Sequence, residues 1–502
     1  MSARQVCAAK CGRWSTRGAS SLAFLPLGVV LGIVAGCTAN VTSISPTSVS
    51  EAGPAFKMTV LGSGFSGSST VQWNGSNRST TYVSATELLA QINAADIAAT
   101  GSASITVTNP GAGSSSSSGS STGTSNAKML SIVAPSVDAT AYGIDPAHDG
   151  AITFTSSISF PSAPAWQVNL GAGAPSNIVI ANNEVFVTVA TSGGSQLFAL
   201  DLASGATAWG PNAIAGAAAA SAGVAYDNGQ VFVAQADFGG STLYAYDAGT
   251  GALNWSTPLG AGAPGAPTAA DGSVFVITAG NATLHALDET TGAVTWQGSL
   301  SATGGTPAVT ADGVYVAAPS SGCSAIDFRP ATGEIIWNTS AGTGSCPQAA
   351  AATPTVANQL VYSPTSSGTA IFSAEAGSSS GALSDSLPAA FTSSVAYFGA
   401  NPNLDAVDLS NDGVQWTFNG DNALDTAPVF VSDQASDQYV ITGSSLGHLY
   451  AVTASSGSIF WTQTLSGKVE QLAAGDGSLL VITETGNDNA GTLTAYTLAT
   501  GQ

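Results

Sequence analysis

Apolar and polar residues alternate with a period of two in short runs along most of the chain, and the runs stop at Gly, Pro, Asn or Asp. Near the beginning, Phe56, Met58 and Val60 alternate with Lys57 and Thr59; Gly62 and Gly64 interrupt, and Val71 and Trp73 resume the alternation. The segment SITVTNPGAG at 104–113 repeats the pattern and ends in an Asn-Pro turn. Such runs predict short antiparallel strands. Further on, the pattern itself recurs. LYAYDAGTGALNW (243–255) has near copies at 197–209, 284–296 and 404–416, and a looser one at 449–461. A spacing of roughly 40 residues predicts a repeat architecture.

Within a unit, Leu243, Ala245 and Asp247 face one side of a strand, and Tyr244 and Tyr246 the other. Gly251 suits a tight turn with positive φ, and the ring of Trp255 can cover the gap to the next unit. Apolar inner strands such as GSVFVIT (272–278) and DGVYVAA (312–318) lie between the motifs. Pairing each turn glycine with the aromatic four residues later gives Gly205/Trp209, Gly251/Trp255, Gly292/Trp296, Gly333/Trp337 and Gly457/Trp461, with Gly413/Trp416 one residue shorter. A degenerate copy at 371–385 keeps Gly381 and has Asp385 where Trp is expected. The eighth copy, LTAYTLATGQ, stops after Gly501 without its Trp strand, whereas AWQVNL (165–170) offers Trp166 with no repeat core of its own. Pairing these two segments closes a ring and removes an open sheet edge. The expected fold is all-β: an immunoglobulin-like β-sandwich followed by an eight-bladed β-propeller, closed by its N- and C-terminal strands. Trp166, Trp209, Trp255, Trp296, Trp337, Trp416 and Trp461 are the expected docking residues between blades.

The order ISP, F-x-M-x-V-x-G-x-G-F, V-x-W and I-x-V-x-NP resembles the IPT/TIG family of immunoglobulin-like domains, which implies a spacer or adhesive module without catalytic residues. The Ser/Gly run at 111–126 reads either as an interdomain linker or as an enlarged hairpin loop. The second reading is preferred because KMLSIV (128–133) supplies the last strand of such a sandwich. Pro135 marks the boundary. The repeat A-x-D-x-x-T-G-x-x-x-W resembles the tryptophan-docking motif of the quinoproteins, whose members bind pyrroloquinoline quinone (PQQ) or only share its eight-bladed propeller. YGIDPAHDGA (142–151) looks like the segment that precedes the first blade in that family.

Composition adds a compartment. Charged residues make up only 8% of the chain, too few for long amphipathic helices. The first 36 residues hold Arg4, Lys10, Arg13 and Arg17 without an acid, then an apolar run at 22–34 too short to span a bilayer. The run ends in VAGC, which resembles the lipobox of bacterial lipoproteins and implies acylation of Cys37 with anchoring to, not across, a membrane. An ordinary signal peptide is the plainer alternative. Thr38 in place of Asp favours the outer membrane. The expected division is 1–36 signal, 37–136 IPT/TIG domain and 137–502 propeller. Losing four of nine basic residues and none of thirty acids leaves the mature chain at −25, which disfavours nucleic acid and anionic headgroups as partners. With Cys7 and Cys11 removed and Cys37 lipidated, Cys323 and Cys346 remain, as a disulfide or as two free thiols.

Catalytic chemistry finds little support in the sequence. The quinoprotein resemblance implies adjacent cysteines, a stacking Trp in the channel, a Glu/Asn/Asp calcium site and a catalytic Asp. Here no cysteines are adjacent, and each mature Trp except Trp73 has a docking position. The repeats also leave no long loops for a funnel. The motif residues Asp201, Asp247, Asp288, Asp327 and Asp408 recur once per blade, as turn or strand-end caps would. His148, His285 and His448 lie far apart and read as solvated or turn histidines. Loops at 421–425 and 487–489 carry oxygen ligands suited to calcium, or are simply polar hairpin turns. No catalytic, cofactor or metal residue is assigned. The propeller is also similar to the lipoproteins of the outer-membrane β-barrel assembly machinery. The expectation is a non-catalytic, lipid-anchored envelope protein that binds another envelope protein or surface macromolecule. The alternatives are a surface adhesin or glycan binder, and a PQQ-dependent dehydrogenase.

Overall fold

In the computed structural model, the described residues are 39–50, 55–109, 123–133, 138–216, 223–300, 305–318, 324–340, 353–365, 368–400, 402–434, 436–485 and 490–499. Cys37, Cys323, Cys346, the Ser/Gly run up to residue 122 and the loop at 487–489 lie outside them. The chain divides into two compact units, up to residue 134 and from 135 onward.

The first unit is a sandwich. One sheet joins Asn40–Ser45, Phe56–Ser63, Glu87–Ile92 and Thr80–Ser84; the other joins Ser48–Ser50, Lys128–Val133, Gly101–Thr108, Thr70–Trp73 and Ser76–Asn77. The period-2 pattern decides the burial. Phe56, Met58 and Val60 face inward beside Val71 and Trp73, each at most 5% exposed. KMLSIV pairs antiparallel with Gly101–Thr108 and parallel with Ser48–Ser50, so it belongs to the sandwich.

The second unit is a ring of eight sheets among the described residues. Six are four-stranded meanders spanning 179–215, 223–260, 268–299, 308–340, 355–383 and 389–418 (blades 1 to 6). Blade 7 (429–464) gains a fifth, innermost strand, Ala151–Phe154, which pairs in parallel with Val429–Asp433. Blade 8 (468–497) takes its outer strand, Trp166–Ala172, from the other end of the domain, with Trp166 opposite Ala495 and Ala172 opposite Ala490. This antiparallel pairing closes the ring.

Neighbouring blades are joined by one recurring contact. Each indole Nε1–H donates to a backbone carbonyl of the following blade: Trp166 to Leu202, Trp209 to Ala248, Trp255 to Glu289, Trp296 to Pro330, Trp337 to Ala374 and Trp416 to Ala454, at 2.5–3.0 Å. Trp461 differs. Its acceptor is Pro161, because the equivalent carbonyl in blade 8, on Leu498, accepts from Ser159 N–H. The ring lies over the turn of the next blade so closely that a Cβ on Gly292 would stand 2.5 Å from the Trp255 indole. Gly292 also has φ +69°, so two independent constraints select glycine there.

The strand register corrects three readings of the repeat. In the fifth unit the residue opposite Ile371, where every other blade has Trp, is Gly381, and neither Gly381 nor Asp385 fills the role read for it. The turn glycine is Gly377, whose N–H closes on the Ser373 carbonyl and whose missing Cβ makes room for Trp337. In the sixth unit the turn position is Asp412 and not Gly413, with φ +54° and its N–H on the Asp408 carbonyl; this unit is therefore not shortened. The two departures share one cause. Blade 5 presents no indole, so the following turn has room for a Cβ, and Asp tolerates the left-handed backbone. The seam is filled instead by Tyr362 and Phe391, whose ring centroids lie 4.4 Å apart.

The third correction concerns Asp327, which pairs opposite Trp337 and so occupies the position of Ala286, not that of the motif Asp. Arg329 stands at the turn. Asp201, Asp247, Asp288 and Asp408 do cap their turns, accepting from a backbone N–H and a hydroxyl of Ser204, Thr250, Thr291 and Ser410. Asp327 is buried with Oδ1 unpartnered, and burial pushes its pKa up to about 9, with the Asp312 charge adding to the rise.

Two predictions follow from these positions. Gly381→Trp alone should lower the melting temperature because the new indole meets the Asp412 side chain. Combined with Asp412→Gly, the two changes should couple favourably by about 0.5–3 kcal/mol in a double-mutant cycle; simple additivity would show that the positions do not meet. Asp327 holds its proton to about pH 9 when folded but ionises near pH 4 when unfolded. Its contribution to stability is therefore complete below about pH 4 and lost as pH rises toward 9. Asp327→Asn should raise the melting temperature at pH 8 and flatten its dependence between pH 5 and 9; an unchanged slope would contradict the burial of a protonated carboxyl.

Candidate functional site

The innermost strand of each blade has one edge facing the axis, with backbone groups that need partners. A belt formed by residues 139–154 meets part of this need, in blades 1, 2, 4, 5, 6 and 7. Ala139 and Ile180 exchange both backbone hydrogen bonds. Tyr226 N–H of blade 2 donates to the Thr140 carbonyl, Val309 of blade 4 to Pro146, Val356 of blade 5 to Ala147, Phe391 of blade 6 to Asp149, and Phe430 of blade 7 to Gly150, all at 2.7–2.9 Å. The belt then runs on as the extra strand of blade 7. Bending it around the axis places non-glycine residues in the left-handed region: Ile144 at φ +81° and His148 at φ +63°. The first is unusual for a β-branched residue and is held there by its surroundings.

Because the blades are up-and-down meanders, the hairpins between second and third strands and the connections between blades emerge on one face. A cavity of about 340 Å³ lies at that end of the axis, between the belt and the starts of the innermost strands of blades 1, 5, 6, 7 and 8. Its apolar wall includes Ile144, Leu387, Pro388, Val429 and Leu472, and its polar groups include Tyr142, His148, Thr353, Thr355 and Glu470. Asn177 is already used, with Nδ2 donating to the Val224 carbonyl and Oδ1 accepting Val224 N–H.

His148 and His285 are each 3% exposed, so neither is solvated; His285 lies in a strand, whereas His148 does close a turn, its N–H donating to the Asp145 carbonyl. His285 is held by Thr278 and Gln297 in blade 3. The Nδ1 of His148 is 3.0 Å from the Pro354 carbonyl, while Nε2 is buried without a partner. Burial lowers its pKa to about 4, against the opposing effect of that carbonyl. Beside it, burial pushes Asp145 up to about 6 although several backbone N–H groups favour the carboxylate; Asp149 is raised further by burial and by Asp145.

On the same face, the loop read as a possible calcium site is organised by protein donors. Asp421 Oδ2 accepts from Ser444 and from His448 Nδ1, both at 2.7 Å, and Oδ1 accepts Ala423 N–H. Ser444 and His448 share this carboxylate, and neither is set to activate the other as a nucleophile and base would be. Asp425 and Glu470 both pair with Lys468 at 3.0 Å. The same Ser444 hydroxyl accepts the N–H groups of Leu446 and His448, and fixes a hairpin whose tip, Leu446, is 64% exposed. The hairpin of blade 2 is fixed similarly: Asp237 accepts from Gly239 N–H and the Thr242 hydroxyl, and Phe238 projects 91% exposed. Nothing in the alternation marked Phe238 or Leu446, because hairpin tips lie outside the repeat.

A quinone cofactor such as PQQ is planar and polyanionic. The described cavity lining has no Trp on which to stack it and no Arg or Lys to pair with it, and Glu470, its carboxylate, is engaged by Lys468. These residues do not fit that group.

Among solved structures, a europium-containing methanol dehydrogenase aligns at 13% identity over 72% of this chain and 98% of its own, with a TM-score of 0.59. BamB from Moraxella catarrhalis aligns at 19% identity over 69% and 99%, TM-score 0.52. A quinohemoprotein alcohol dehydrogenase from Comamonas testosteroni aligns at 15% identity over 73% and 81%, TM-score 0.54. At such identities these likenesses show the propeller fold alone. No match was found among curated proteins. The IPT/TIG domain model matches residues 39–123. The model described as outer membrane protein assembly factor BamB matches residues 193–397 and 400–502, more than half of the chain, and the chain therefore belongs to that family.

Proposed function

We propose that this protein is a non-catalytic envelope protein, anchored through lipid on Cys37, whose propeller holds another envelope protein. The observation that carries this reading is the pair of fixed apolar tips, Phe238 and Leu446, on one face of the ring. A large apolar side chain held out by its own loop's hydrogen bonds loses little conformational freedom on docking, and aromatic anchors of this kind dominate protein interfaces. Family membership supports a role in assembly at the outer membrane, and the cavity's misfit to PQQ weighs against dehydrogenase chemistry. The sandwich between lipid and propeller would act as a spacer. Cys323 and Cys346 would pair as a disulfide.

Mild crosslinking in native membranes and capture of the protein should recover a defined set of membrane proteins, and the Phe238→Ser/Leu446→Ser double variant should lose most of it. Recovery of glycans alone would favour the adhesin reading, and an identical protein set with both forms would remove the tips from the interface. Dye-linked alcohol or sugar oxidation by purified protein supplied with PQQ and calcium would overturn the non-catalytic reading.

A further inference from the structure

We propose that a proton shared between the side chains of Asp227 and Glu289 latches blades 2 and 3 together, and that alkaline pH releases the latch. It sits among the turns that join first to second and third to fourth strands, on the face opposite the apolar tips, and does not depend on the scaffold reading.

Glu289 belongs to blade 3 and is tied to blade 2. Its carbonyl accepts the Trp255 indole N–H at 2.8 Å and an N–H of the Gln230 amide at 2.9 Å, and its Oε1 accepts from Asn228 Nδ2 at 2.8 Å. Asp227 ends the first strand of blade 2 and reaches the other way, its carboxyl accepting the Gly272 N–H of blade 3. The two carboxyl groups are hydrogen-bond partners of each other. Yet each has a buried oxygen, Asp227 Oδ2 and Glu289 Oε2, to which no N–H or O–H among the described residues donates. Two carboxylates offer acceptors only, so the contact requires a proton on one of them. Without that proton, two buried acceptors would stand unpaired beside like charge, which is costly.

The titratable groups around the pair are Tyr226, Asp271 and Asp288, all acids. From residue 135 onward the only Lys and Arg residues are Arg329 and Lys468, which pair with Glu334 and with Asp425 and Glu470. His285 of blade 3 is held by Thr278 and Gln297. Burial, and then the Asp227 charge, pushes Glu289 up to about 7; burial raises Asp227 as well. Both ionise near pH 4 when unfolded, so the contribution of the latch is complete below about pH 4 and is lost as pH rises through about 7.

In Glu289→Gln or Asp227→Asn an amide N–H stands in for the shared proton at every pH. Between about pH 5 and about pH 8, the melting temperature of either full-length variant should gain about 2 °C on that of the unmodified chain. Asp288→Asn removes a charge from the same turn and keeps the acceptor for Thr291, so it should show no such gain. An equal gain in Asp288→Asn, or none in the two pair variants, overturns the proposal. Peptide-resolved hydrogen exchange of the unmodified chain needs no variant. Over the same pH interval, residues 288–292 should lose protection about tenfold relative to the equivalent turn at 453–457, which carries no carboxyl side chain. A constant ratio between the two turns would also overturn the proposal, and this measurement decides if the variants fail to fold.

Discussion

The ring depends on an indole laid over the turn of the next blade. One side chain does three things there: it covers the apolar seam between two twisted sheets, donates its N–H to a carbonyl at the turn, and occupies the space where the turn residue would carry a Cβ. Trp296 illustrates the packing, with ring centroids 5.9 Å from both Phe275 of its own blade and Phe328 of the next. Because each contact joins only nearest neighbours, stability is distributed around the ring and no blade holds a core of its own. A propeller built this way needs closure more than any single contact, and the strand carrying Trp166 supplies it by pairing with the last repeat.

The exceptions show how local that constraint is. Where Gly381 replaces the indole, the next turn is released from glycine and carries Asp412, and the seam is repacked by Tyr362 and Phe391. At the closing seam Trp461 finds the Pro161 carbonyl because the entering chain takes the usual acceptor. Each seam thus keeps the hydrogen bond or the apolar filling while changing which residue provides it. The mean repeat says little about such seams, and the strand register says a great deal.

The belt at 139–154 gives the axis its chemistry. Its primary role is to satisfy the inner edges of the blades, and that role forces unusual backbone on Ile144 and His148. An imidazole placed this way turns one nitrogen into the wall and leaves the other without a partner. The same economy applies at the hairpins, where Asp237 and Asp421 with Ser444 fix loops and thereby hold Phe238 and Leu446 in solvent.

The sequence by itself determined the strands, the repeat and the ring. Period-2 alternation and the recurrence of Gly and Trp express local backbone geometry and one nearest-neighbour contact, and both are written into every unit. The shared spacing also misled in three places. Spacing from a glycine or a tryptophan points to Gly381, Gly413 and Asp327, but adjacent Ser, Gly and Asp residues make that spacing ambiguous by one to four positions. Only hydrogen-bonded register resolves such ambiguity, because pairing across strands fixes which residues face each other. The burial of His148 and the exposure of Phe238 were likewise settled by the tertiary structure alone. A belt that contacts blades far apart in sequence and a loop tip outside the alternation have no periodic signature, since their environments are created by closing the ring.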